Sequence, residues 1–155
     1  MQREMQINKT KIAELRKEYG DAFYLLDSGQ FRNNFIELKD TFRKIYPNFN
    51  IAYSYKTNYT PKFCKIVNEL GGYAEVVSEM ELEIALRVGV ESKRIIWNGP
   101  IKNAKKLEEF LVAGGTDNID SVEELAVVKA IAERHPDKVL NLGIRCNYDV
   151  QDGVV

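Results

Sequence analysis

The chain has 155 residues, 45% of them apolar and 29% charged, with a formal net charge of −1. This is the balance of an ordinary globular domain with a core of its own, and it excludes long disorder. The near-neutral charge excludes a strongly basic surface, so nucleic acid is not expected as a partner.

From Asn8 to Tyr19 the sequence predicts a short polar helix whose thin apolar side is Ile12 and Leu15, ended by Gly20 and Asp21. Ala22–Asp27 is an apolar and aromatic run between turn residues and reads as a buried strand. Phe31, Phe35, Leu38 and Phe42 recur at helical spacing and predict a helix over Gln30–Tyr46, stopped by Pro47. A regular alternation follows. Strands are expected at Asn50–Ser54, Tyr73–Val77, Arg94–Trp97, Asp117–Asp120 and Val139–Arg145. Helices are expected between them. One spans Pro61–Leu70, with Pro61 in its first turn and Gly71-Gly72 after its end. Another starts at Ser78, with Glu81 as capping-box partner, and carries Leu82, Ala85 and Leu86. A third covers Asn103–Ala113 with Leu107, Phe110 and Leu111 apolar, and a fourth is capped by Ser121 and ends near His135-Pro136.

Strict strand–helix alternation with short loops means successive βα units and a parallel sheet. A (β/α)8 barrel needs about 250 residues, whereas a complete doubly wound domain fits a chain of this length better. Repetition alone leaves both open. No low-complexity segment or linker stands out.

Chemistry is thinly spread elsewhere. Cys64 and Cys146 lie far apart without metal-ligand spacing and read as buried small apolar residues, and His135 has no ligand partner near it. The polar start Met1–Met5 lacks an apolar signal core, and no run approaches the roughly 18 apolar residues of a membrane span. With two thiols suited to a reducing compartment, the expectation is a cytoplasmic protein with no membrane partner.

In a parallel sheet, function gathers at the carboxyl ends of the strands. Those ends here are Ser54-Tyr55-Lys56-Thr57-Asn58, Glu75-Val76-Val77-Ser78, Trp97-Asn98-Gly99-Pro100, Asp120-Ser121 and Arg145-Cys146-Asn147, all polar. The opposite ends, at Asn50, Gly72, Arg94, Thr116 and Lys138, read as a solvated edge. A lysine closing a buried strand has its amine open to desolvation and a lowered pKa, which makes it a nucleophile towards aldehydes. Taken alone, Lys56 reads as well as a surface lysine in a loop.

The wider context carries a resemblance. Ile51-Ala52-Tyr53-Ser54-Tyr55-Lys56-Thr57-Asn58 resembles the Tyr-Ala-x-Lys-x-Asn signature of the pyridoxal-phosphate-dependent ornithine/diaminopimelate/arginine decarboxylase family, whose barrel is shared with alanine racemase. The likeness continues in order through Leu70–Ser78 with Glu81–Leu86, Arg94–Lys102, Asn118–Leu125 and Leu142–Arg145, and it looks most like the diaminopimelate enzymes.

The resemblance implies an α/β fold: about five βα units of an alanine-racemase-type (β/α)8 barrel over residues 30–155, preceded by a helix and strand over residues 1–29 that would join a C-terminal β-domain. It implies pyridoxal 5'-phosphate as cofactor, Lys56 as its Schiff-base lysine, and Ser54, Glu75, Glu81 and Arg145 as cofactor-side residues. Ser54 stands where the family commonly has Ala, and Glu75 where it has Asp, one methylene longer. Helix capping is an equal reading of Glu81 and of Ser78; an acid neighbour could simply pair with Arg145, and Asp120 could orient its turn. The implied activity is decarboxylation of a small basic or diamino acid by a homodimer. A racemase on the same barrel and a non-catalytic binding homologue are the alternatives. The phosphate loop, the acid facing the ring nitrogen and the family's catalytic cysteine would lie in later segments, so the expectation is an incomplete part of a longer chain.

Overall fold

A computed structural model describes residues 7–146. The chain divides into two compact units, Met1–Pro47 and Asn48–Val155.

The first unit holds two helices, α1 (Lys9–Tyr19) and α2 (Ser28–Arg43). Both start on side-chain caps: Asn8 accepts from the Lys11 N–H and Asp27 from the Gln30 N–H at 2.8 Å. α2 ends at Arg43, short of Pro47, and of its apolar stripe Phe35 is buried while Leu38 and Phe42 are about half exposed. The buried strand expected at Ala22–Asp27 is not formed. The run has no ladder partner among the described residues, and Tyr24 is 99% exposed. An apolar run specifies burial only when a neighbouring strand is there to satisfy its backbone.

The second unit is a run of βα units: β1 (Ala52–Ser54), α3 (Pro61–Glu69), β2 (Tyr73–Val76), α4 (Glu79–Arg87), β3 (Ile95–Trp97), α5 (Ala104–Val112), β4 (Thr116–Ile119), α6 (Val122–Arg134) and β5 (Asn141–Ile144). The strands form one parallel sheet in the order β1-β2-β3-β4-β5. That order decides between the two architectures left open by the sequence. A doubly wound sheet reverses direction at a switch point, whereas a barrel adds each strand beside the last. Among the described residues the sheet stays open, with β1 and β5 at its edges.

Alternation sorts the two faces. Ala74 and Val76 of β2, Ile95 and Trp97 of β3 and Ile119 of β4 are buried and belong to one core with Cys64, Leu82, Ala85, Leu107, Phe110, Leu111, Val128 and Ile131 from the helices. Trp97 meets Phe110 edge-on, with ring centroids 5.6 Å apart. Residues paired in register point to one side, so Ser54, Glu75, Ile96 and Thr116 share the other face, which is only half buried. Leu86 and Leu125, expected inside, are partly exposed, and so is Cys146 at the free edge after β5; Cys64 is buried as expected. At the amino end of the sheet Arg94 is not merely solvated: its guanidinium donates to the carbonyls of Gly72 (3.1 Å) and Asn68 (3.3 Å) and to the Asn68 side chain. No helix among the described residues is long and apolar enough to cross a membrane.

Candidate active site at the carboxyl ends of the strands

β1 runs straight into a tight turn. The Thr57 hydroxyl donates to the Ser54 carbonyl at 2.8 Å, and the Asn58 carboxamide oxygen accepts the Thr60 N–H at 3.0 Å, an Asx turn that launches α3. Alternation through this turn buries Tyr55 completely and leaves Lys56 outside. The Lys56 amine is therefore not desolvated by its strand-end position, and it has no hydrogen bond or ion pair among the described residues. Behind it, burial beside the Cys64 thiol pushes the Tyr55 phenol up, and burial raises Cys64 as well.

The register brings Ser54 opposite Glu75, and the Ser54 hydroxyl donates to Glu75 Oε2. Glu75 Oε1 accepts from Asn98 Nδ2 at 3.2 Å, and Asn98 Oδ1 in turn accepts from Asn118 Nδ2 at 3.2 Å. A line of polar side chains thus crosses four neighbouring strand ends. Asn118 pairs in register with Gly143 of β5, where a Cβ would fall 2.1 Å from Asn118 Oδ1. Asn98 stood in the sequence only as part of a polar strand end and Asn118 drew no functional reading. Their signal is positional: they occupy the same face as Glu75, one and two strands further on.

Glu81 is brought elsewhere. It is 5% exposed, its N–H donates to Ser78 Oγ at 3.3 Å, and its Oε2 accepts the Val77 N–H at 2.8 Å. This is the capping box displaced by one residue, with the carboxylate reaching the N–H before the cap rather than that of the cap itself. The same device recurs at α6, where Glu124 Oε2 accepts the Asp120 N–H at 2.8 Å and its own N–H donates to Ser121 Oγ at 3.1 Å. Arg145 lies at the end of β5. Its N–H continues the ladder to the Ile119 carbonyl, and Nη1 donates to Asp120 Oδ1 at 2.9 Å with the Arg145 side chain 55% exposed. No hydrogen bond or ion pair joins Arg145 or Glu81 to Ser54, Glu75 or Lys56 among the described residues, and Asn147 lies outside them.

A second polar cluster sits on the helix-covered face. Lys102, from the loop after β3, has a side chain only 1% exposed. Its Nζ donates to Glu124 Oε1 at 2.6 Å and to the Asn118 carbonyl at 2.9 Å, and lies 2.7 Å from Asp117 Oδ1. That last contact is a close buried ion pair, and Asp117 has no other donor among the described residues. Burial raises the Asp117 carboxyl, with Lys102 opposing the shift. Asp117 alternates inward like Ile119, a pattern the sequence showed only as an apolar-poor strand. The loop carrying Lys102 approaches β2 so closely that a Cβ on Gly99 would lie 1.9 Å from the Val77 carbonyl oxygen.

A parallel sheet of barrel order, with an exposed lysine just after its first strand and a carboxylate on its second, defines a class of lysine-bearing α/β barrel proteins. Residues 32–154 match the family model described as pyridoxal-dependent decarboxylase, pyridoxal binding domain, and the chain belongs to that family. It is 32% identical over 152 residues to a diaminopimelate decarboxylase of Aquifex aeolicus, covering 95% of this chain and 34% of that protein. It is 30% identical over 145 residues to that of Methanocaldococcus jannaschii, covering 88% and 32%. Among solved structures, diaminopimelate decarboxylase from Helicobacter pylori complexed with L-lysine superposes with a TM-score of 0.76 at 26% identity, over 87% of this chain and 34% of the other. The chain spans about a third of the length of these relatives.

Proposed function

We propose that the protein of which this chain forms the pyridoxal-binding part is a pyridoxal-phosphate-dependent decarboxylase of a diamino acid, with diaminopimelate as the substrate to test first. The observation that carries the reading is Lys56, an exposed lysine just after β1 with no hydrogen bond or ion pair among the described residues, two positions beyond the Ser54 that bonds Glu75. These residues suit the cofactor: an aldehyde needs an accessible amine, and a charged ring system needs an oriented carboxylate nearby.

When bound, the cofactor supplies an electron sink for the carbanion left as carbon dioxide departs. The chain's own groups do the rest of what is assigned here. Lys56 would hold the cofactor through its side-chain amine. Glu75, gripped by Ser54 and Asn98, offers its charge to a cationic nitrogen. Arg145, steered by Asp120, contributes a fixed positive charge at the β5 end. Glu81 acts from behind, holding the junction of β2 and α4 through the Val77 N–H. The proposal includes a homodimeric, cytoplasmic protein and residues 1–29 joined to a later β-domain. The exposed apolar run 22–26, with no strand neighbour among the described residues, supports that last point.

The test is an absorbance scan of the full-length protein with pyridoxal phosphate. A visible band is expected, and it should vanish in Lys56→Ala. A band that survives the substitution overturns the assignment. Carbon dioxide release across diaminopimelate, lysine, ornithine and arginine then identifies the substrate, and sedimentation of the full-length protein reads the dimer.

A further inference from the structure

We propose that Asn98, backed by Asn118, is a positioning residue that aims the Glu75 carboxylate into the cofactor pocket; this rests on the reading of Glu75 as a cofactor-side group. A carboxylate accepts hydrogen bonds and does not donate them. Glu75 Oε1 therefore requires the nitrogen of the Asn98 amide, which leaves Asn98 Oδ1 facing the next strand. That oxygen requires the nitrogen of Asn118, which leaves Asn118 Oδ1 turned towards Gly143. One acceptor thus sets the direction of two consecutive amides.

The amides are placed by backbone, independently of the bonds they make. The Asn98 N–H donates to the Val76 carbonyl at 2.8 Å, and the Gly99 that follows is pressed against Val77. Asn118 sits within β4, its carbonyl held by the buried Lys102 ammonium at 2.9 Å. Gly143 supplies the gap that the Asn118 amide needs, since any side chain there would strike Oδ1. The line from Lys102 through Asn118 and Asn98 to Glu75 is a rigid brace across β4, β3 and β2. At its far end both Glu75 oxygens are engaged by neutral donors, and no cation pairs with Glu75 among the described residues. The carboxylate is oriented without being neutralised. Its charge is left for a cationic nitrogen brought by the cofactor or substrate.

The experiment uses full-length protein titrated with pyridoxal phosphate, reading the dissociation constant and the pH midpoint of the visible band, with thermal unfolding as the control for folding. Asn98→Asp keeps the side-chain volume and replaces the donor by an acceptor; Asn98→Ala removes both. The dissociation constant is expected to rise about tenfold in Asn98→Asp and somewhat less in Asn98→Ala, the scale of one hydrogen bond to a charged group. The pH midpoint of the band should move in Asn98→Asp. In a Glu75→Gln background the same substitutions should change the dissociation constant less than about twofold, because the charged acceptor they act on is gone. Equal effects in both backgrounds, or Asn98→Asp binding like wild type, overturn the positioning role alone. Absence of a band in the wild type, or its survival in Lys56→Ala, overturns the cofactor reading on which the role rests.

Discussion

Replacing Lys102 with methionine removes one buried positive charge and leaves two carboxylates behind. The side chain is 1% exposed, Asp117 is fully buried and Glu124 is 10% exposed, so water cannot take the place of the ammonium. Removing one partner of a buried pair costs about 3–5 kcal/mol, because the remaining charge is uncompensated. The upper half of that range is expected here, since two acids lose the same partner and the Asn118 carbonyl loses a donor. The pH dependence has a definite sign. Burial already raises Asp117 above its ordinary value of 3.8, and Lys102 opposes that shift. Without Lys102 the folded-state value rises further above the unfolded one. The folded variant then binds more protons than the unfolded chain, so its stability falls as pH rises through that window. Urea unfolding of the full-length protein at pH 7 and at about pH 4, near the unfolded carboxylate values, measures the deficit. It should be large at pH 7 and shrink at pH 4. A deficit below about 1 kcal/mol at pH 7, the scale of a surface ion pair, would refute the reasoning, and so would a deficit independent of pH.

Gly99→Ala should destabilise by about 2–3 kcal/mol or more, because its Cβ would meet the Val77 carbonyl and neither backbone has room to yield; a wild-type unfolding midpoint would show that the loop is not locked. Phe110→Ala removes the ring that packs edge-on against Trp97 and should cost about 3–5 kcal/mol, with a change in indole fluorescence. The guanidinium of Arg134, and next the ring of His135, hold the Glu108 carboxyl down at about 2 from an ordinary 4.5. A depressed carboxyl gives stability that is present above the unfolded value and lost as pH falls through the folded one. Glu108→Gln should therefore flatten the acid side of the melting profile between pH 4.5 and about 2. High salt should reduce the difference, since the Glu108 side chain is still partly open to solvent.

Most of the local structure was legible in the residues. Ser78 and Ser121 cap the helices they were expected to cap, since an N-cap acts over three residues and leaves its mark in sequence, and Asn103, expected as the first helical residue, is itself the cap of α5. Five strand positions were recovered to within a few residues from the alternation of strand-like and helical segments. The run 22–27 failed because the same pattern is written by any strand, and only the presence of a neighbour decides whether one forms. Of the candidate site, Lys56, Ser54 and Glu75 were named from their places at strand ends and from the resemblance, and the strand register sets Ser54 opposite Glu75.

Tertiary structure decided the remainder. Strand order, and with it barrel over doubly wound sheet, follows from which backbones pair, and each βα repeat looks alike in sequence whichever edge it joins. Glu81 was divided between capping and cofactor, and its bond to the Val77 N–H supplies a structural task. Asn98 stands 23 residues from Glu75 and Asn118 a further 20 along the chain, so their bonding to Glu75 and to each other is not written in the local sequence. The parallel register places them on the face of Glu75, and it sends Asp117 to the opposite face with Lys102. A side chain's face is set by alternation within its strand, but what it meets there is set by the offset between strands, and that offset is a property of the packed sheet.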